Sequence, residues 1–262
     1  VTAIAATMAF AAAAYAADLS IGEGVVVKGS TGSSIVVRAA LHAKGAIFTS
    51  LKDDSAANQS GPTAQTPTPG DWTGIKVEAS VTSGNLVLNS ASVRYAGGNS
   101  GAGVELRKTN ANINALLIGD SITGLRITDG AIPSLTGLSL INNGTGLELL
   151  SNAKPTVANA DIHGNSTFGI SNLTPATIIT ATGNWWGDAT GPNDPVANAA
   201  GLGDKVSTGV NYANWLGAIP LIDPQFAVAN GGYYTEQANV QFNLACRNAV
   251  EYRIAENNNF NG

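Results

Sequence analysis

The sequence has a single cysteine, Cys246, and only two histidines, His42 and His163, among 262 residues. An intrachain disulfide is thereby excluded, as is a zinc or iron–sulfur centre built on cysteines, so a resident metal would have to be a hard one held by oxygen. Charge is also scarce: Asp, Glu, Lys and Arg make up 12% of the chain, with a formal net charge of -5. There is no basic stripe with interleaved aromatics, which removes nucleic acid from the expected partners. Long amphipathic helices need a charged outer face, and few residues here can supply one. The longest apolar run is alanine-rich and falls short of the roughly 20 residues that a membrane-spanning helix needs, so no membrane span is expected in the mature chain.

What the sequence does have is glycine, asparagine and short apolar stretches. With 31 Gly and 26 Asn, the composition suits many short strands joined by tight turns. Its 44% of hydrophobic residues can fill one sizeable core, or one core and a small appended unit. Residues Val1–Ala17 carry no charge and end in small residues before Asp18, which reads as the remnant of a secretory signal, with the mature chain starting near Asp18.

Self-comparison reveals a period. Ile113, Leu135, Val157 and Ile179 fall 22 residues apart, as do Ile118, Leu140, Ile162 and Asn184. Gly124-Leu125 and Gly146-Leu147 follow the same step, and so do Pro133 and Pro155. Inside each repeat, apolar residues alternate, as in Val104-Glu105-Leu106, Leu125-Arg126-Ile127 and Leu147-Glu148-Leu149. That is the pattern of strands with one buried face. A unit too short for a strand and a returning helix, yet holding two or three strands, predicts one turn of a parallel β-helix, with right-handed crossovers.

Stacked coils place equivalent residues in ladders. Asn143 and Asn165 are one period apart, where Asn tolerates a left-handed backbone and amides can bond along the axis. Glu105, Arg126 and Glu148 form an outward ladder of alternating charge. Residues 19–50 supply the first coils, and the polar, Pro- and Gly-rich stretch 53–71 leaves the surface as a long loop that returns at Trp72.

With these features, the chain resembles the secreted right-handed parallel β-helix repeat proteins of the pectin-lyase-like superfamily, over roughly residues 19–216. The resemblance rests on Phe48-Thr49-Ser50-Leu51-Lys52-Asp53-Asp54, on Gly70-Asp71-Trp72-Thr73-Gly74-Ile75, and on Gly183-Asn184-Trp185-Trp186-Gly187-Asp188-Ala189-Thr190-Gly191-Pro192. It continues through Gly203-Asp204-Lys205-Val206-Ser207 to Asn214-Trp215-Leu216. It implies an all-β fold: a solenoid over 18–216 closed by a cap at 184–216 and followed by a linker at 217–225. Residues 226–262 resemble the opening of a bacterial immunoglobulin-like β-sandwich module, too short to complete one, so the sequence is expected to be part of a longer protein carrying further modules.

Catalytic members of the superfamily cleave acidic polysaccharides. Alignment of the coils puts Arg94, Gly119, Ile141, His163 and Trp185 in one outward column and Ser92, Leu117, Ser139, Asp161 and Gly183 in the next. Asp161 and His163, two apart on one strand, are the best acid–base pair available, but Arg94 lies three coils away, about 14 Å at the spacing of stacked strands. No catalytic residue is favoured. Trp185 and Trp186 cover the end of the last coil, or one of them stacks on a sugar. No cofactor is required; calcium could sit at Asp53, Asp54 and Asp71, or at Asp188, Asp194 and Asp204, although turn-forming roles account for both groups. The expectation is therefore a noncatalytic, secreted or cell-surface ectodomain with a structural, adhesive or glycan-binding role. The alternatives are a polysaccharide lyase or glycoside hydrolase, and a mechanical stalk that presents other modules.

Overall fold

The computed structural model describes residues 5–6, 18–56, 65–228 and 242–249. Among these residues the secondary structure is nearly all β, with one short 3-10 turn at Ser83–Asn85 and no α-helix. Three sheets carry most of it. The seven-stranded sheet runs from Ala5–Ala6 through Val26–Gly29, Ile47–Ser50, Ser92–Arg94, Leu117–Gly119 and Ser139–Ile141 to Asp161–His163. The six-stranded sheet runs from Ser34–Val37 to Phe168–Asn172, and the five-stranded sheet from Ile113–Asn114 to Val210–Asn211.

In each sheet the spatial order of the strands is their order in the sequence, and the pairing within each is parallel. Parallel neighbours cannot be joined by a hairpin, so the chain must travel elsewhere between them. Here it visits the other two sheets: Leu117–Gly119 is followed by Thr123–Thr128 in the six-stranded sheet and Ser134–Thr136 in the five-stranded one, before Ser139–Ile141 returns. This progression is compatible with a parallel β-helix.

The register is the one the repeat requires. Ile113 pairs with Leu135 and Leu135 with Val157, while Val93, Ile118, Leu140 and Ile162 form an inner column of the seven-stranded sheet. Leu125 and Ile127 lie under Leu147 and Leu149. All these residues belong to one continuous hydrophobic core, and each fully buried aliphatic side chain contributes about 1.5 to 3 kcal/mol. The alignment slips by two residues after Phe168–Asn172, where Thr156 pairs with Thr180 and Asp161 bridges to Trp185. One extra residue enters between His163 and Phe168, which pairs with Thr145, and the other in the turn around Pro175, so Trp185 sits beside Asp161 and not in the column of His163.

A buried polar ladder runs through this core. The Ser121 N–H donates to Asn143 Oδ1 at 3.1 Å, the Asn143 N–H to Asn165 Oδ1 at 3.0 Å, and the Asn165 N–H to Asp204 Oδ2 at 3.0 Å. The amide of Asn143 also donates to the Ile118 carbonyl at 3.1 Å, and that of Asn165 to the Leu140 carbonyl at 2.8 Å. The left-handed residues at this corner are Asn142 (φ 55°) and Gly164 (φ 71°), one position earlier than the sequence suggests. Turning there sends the next side chains, Asn143 and Asn165, inward. Room for them depends on glycine: a Cβ on Gly124 would meet the Gly146 carbonyl oxygen at 2.6 Å and the Asn143 amide at 3.1 Å.

The outer charge ladder also forms. Arg126 Nε lies 2.6 Å from Glu148 Oε2, and its guanidinium 3.6 Å from Glu105 Oε2, in register across neighbouring strands. Trp72, buried, anchors the return of the long loop: its indole N–H donates to the Arg94 carbonyl at 2.8 Å and its ring lies against Gly29. Residues 57–64 of that loop lie outside the described residues. So do all but 5–6 of the expected leader, and those two pair with Val26 and Val27.

Toward the C-terminus, Ile222–Val228 pairs antiparallel with Phe242–Arg247, so the expected linker is already strand from Ile222. A register shift between Ile222 and Gln225 accommodates Pro224, which lacks an N–H. Arg247 donates to Ser139 Oγ and to the Ala115 carbonyl, both at 3.2 Å, which seats this segment on the seven-stranded sheet. The rest of the expected immunoglobulin-like segment lies outside the described residues.

Replacing Asn143 with Ala leaves the Ser121 N–H without its acceptor in the interior and removes the amide that donates to the Ile118 carbonyl and to Asn165 Oδ1. The expected cost is about 3 kcal/mol in urea unfolding. Thr136→Ala, on the exposed face, is expected to change stability by less than about 0.5 kcal/mol. Similar losses for the two variants would contradict the ladder's role.

Candidate functional site

The outer face of the seven-stranded sheet holds the residues with acid–base potential. Alternation turns Val93, Ile118, Leu140 and Ile162 inward, so their neighbours Ser92 and Arg94, Ser139 and Ile141, Asp161 and His163 face the other way. Asp161 is nonetheless buried, at 1% exposure. Its Oδ1 lies 2.6 Å from His163 Nδ1, and its Oδ2 accepts from the Asn248 amide at 3.2 Å. The hydrogen bond it makes to Asp161 raises the pKa of His163 against the opposing effect of burial, and the charges of Asp161 and Asp204 add to it.

Asp204 reaches this cluster from the cap. Its strand, Gly203–Lys205, pairs with Pro192–Asn193, and its backbone N–H donates to the Trp186 carbonyl at 2.8 Å. Its Oδ2 accepts both from the Asn165 backbone and from the Asn165 amide, the latter at 2.7 Å. Burial pushes its carboxyl above the usual range, only partly offset by those bonds and by His163. The sequence reading had grouped Asp204 with Asp188 and Asp194. The structure instead places it between the end of the Asn ladder and His163.

Asp188 and Asp194 stay in the cap loop. Asp188 accepts from the Thr190 hydroxyl at 2.7 Å and its backbone at 2.9 Å, which holds its carboxyl below the ordinary value. Asp194 accepts from the Val196 and Ala197 N–H groups and from the Tyr212 hydroxyl at 3.0 Å. Burial, together with Asp194, pushes the Tyr212 hydroxyl up to about 12.

The other acidic trio is likewise divided. Asp53 accepts from the Thr49 and Ser55 hydroxyls at 2.6 Å each; burial would raise its carboxyl, but these bonds and nearby Arg94 hold it below the ordinary value. Asp71 binds Lys52 Nζ at 2.6 Å and Ser50 Oγ at 2.7 Å, and Asp54 faces Lys28 at 3.8 Å. Among the described residues, no three His, Cys, Asp or Glu side chains converge to hold a metal ion.

Arg94 is separated from His163 by the rungs of Gly119 and Ile141, as the sequence implied. Its electrostatic partners are Asp53 and Asp120, and it also acts to lower the Tyr95 hydroxyl against burial. Burial raises the Asp120 carboxyl, and Arg94 counteracts it. Asp120 is not among the candidates the sequence singles out; its place just after Gly119, one rung from Arg94, was the available signal.

The two tryptophans differ. Trp186 is fully buried, with its Nε1 unpartnered, and so caps the core and cannot stack on a sugar. Trp185 is half-buried next to Asp161. Trp215, also missed, covers Gly191, donates to the Ala189 carbonyl at 3.1 Å and leaves 37% of its surface exposed. Comparison with protein-family models, curated proteins and solved structures finds no match to the chain.

The His163 pair has a pH signature. Because its folded-state pKa is raised above 6.5, its stabilisation is complete below that value and fades as pH rises through the folded value. His163→Asn is expected to lose more stability at about pH 5.5 than at about pH 8, by roughly 0.5 kcal/mol after solvent screening. An equal loss in melting experiments at both pH values would contradict the pairing.

Proposed function

We propose that the chain is a right-handed parallel β-helix of the pectin-lyase-like type, secreted or displayed at a cell surface, and that it acts as a noncatalytic structural, adhesive or glycan-binding ectodomain. The observation that carries this reading is the use made of the acidic groups. Asp53, Asp71, Asp161, Asp188, Asp194 and Asp204 all accept hydrogen bonds from the chain itself. A general acid or base must reach a proton on a substrate, and the Asp161 carboxylate is enclosed between His163 and Asn248. The coils then serve as a rigid support whose outer faces and attached segments meet partners.

One observation favours the enzyme reading. Near Arg94, Asp53 is held low and Asp120 high, and opposed shifts in neighbouring carboxyls are what acid–base catalysis uses. On that reading, Arg94 and Tyr95 would face an acidic sugar between the two.

Incubation of the whole chain with polygalacturonate and with neutral glucans, with calcium and with a chelator, separates the two readings. No new chain ends are expected on any substrate. Cleavage abolished by Arg94→Ala or Asp120→Asn would overturn the noncatalytic reading.

A further inference from the structure

The outer face of the five-stranded sheet differs from the other two. The six-stranded sheet presents Glu105, Arg126 and Glu148, and the seven-stranded sheet presents Arg94 and His163. The five-stranded sheet instead presents small uncharged groups. Ser134, Thr156 and Thr180 stand in register on adjacent strands, and Thr136 lies two residues beyond Ser134 on the same face. All four are exposed, and their hydroxyls make no hydrogen bond among the described residues. Elsewhere the hydroxyls of Thr49, Ser50, Ser121 and Thr190 are taken up by the chain.

The array is flat and periodic, with steps of about 4.8 Å between strands and about 6.6 Å along one. Two exposed apolar side chains flank it. Ile132 and Ile178, each two residues before a hydroxyl of the array, are 57% and 63% exposed. Lys154, two residues before Thr156, is the ionisable neighbour at the margin.

We infer that this face is a binding surface for an uncharged polysaccharide chain. The assignment rests on the noncatalytic reading above and names its ligand class. Charge complementarity decides the class: an acidic polymer laid here would lose hydration at its carboxylates with no row of cations in return, whereas a neutral glycan loses only hydroxyl hydration, which the free hydroxyls replace. A sugar ring has polar edges and apolar C–H faces, and Ser134, Thr136, Thr156 and Thr180 meet the first while Ile132 and Ile178 meet the second. A periodic array suits a polymer whose repeating units lie against successive strands. A single small molecule would need a concave pocket.

The test is co-sedimentation of the whole chain with microcrystalline cellulose and with chitin, with bead-coupled polygalacturonate as the acidic counterpart. Retention by a neutral polymer is expected, reduced at least fivefold in the double variant Thr136→Val/Thr156→Val and in Thr156→Lys, with melting temperatures near that of the parent. Undiminished retention of both folded variants, retention by polygalacturonate alone, or retention by no polymer would overturn the inference. The outcome is separable from that of the cleavage assay. Chain scission would strike the noncatalytic reading, whereas absent retention without scission would strike only this face.

Discussion

In-register stacking is the constraint on which everything else rests. A single 22-residue repeat of this chain holds only two or three strands of two to six residues, far too few to bury their own apolar side chains. Stability must come from the neighbour above and below, and a neighbour is useful only if its apolar residues stand at the same positions. The ladder from Ser121 through Asn143 and Asn165 to Asp204 enforces that match, because a slip of one residue would leave several buried polar groups unpaired. Apolar columns tolerate small shifts; a chain of buried amides does not.

The same ladder joins the fold to the candidate site. Its last acceptor, Asp204, belongs to the cap, and the charge it brings into the interior acts on His163 at the surface of the final full rung. Asp161, on the other side of His163, is held in turn by Asn248 from the C-terminal strand pair. The repeat strand Asp161–His163, the strand Gly203–Lys205 and the C-terminal strand pair therefore meet at one point. Groups that in isolation look like an acid–base pair are held at this junction by all three segments.

Much of this was legible in the sequence. The 22-residue recurrence of Ile113, Leu135 and Val157 gave the parallel register, and the alternation in Leu125-Arg126-Ile127 gave both the inner column and the charge ladder. Two kinds of feature were not. Where the repeat lengthens, before Phe168 and again around Pro175, the period carries no information about which turns absorb the extra residues, so the alignment set Trp185 beside His163, two residues from its true neighbour Asp161. Interactions between distant segments, such as the hydrogen bond of Asp204 with Asn165 or the charge of Arg94 acting on Asp53, follow from where the chain returns, which no local pattern encodes. The position of the left-handed residue is subtler: Asn142 and Asn143 are chemically identical, and only packing decides which one turns the chain and which one enters the core.

The most direct test of this account is native-state hydrogen exchange. If the buried ladder sets the register, the backbone amides of Ser121, Asn143 and Asn165 exchange only through global unfolding, with the same free energy as the core strands around Ile118 and Leu140. Exchange of those amides as fast as that of the exposed turn at Asn99 would contradict it.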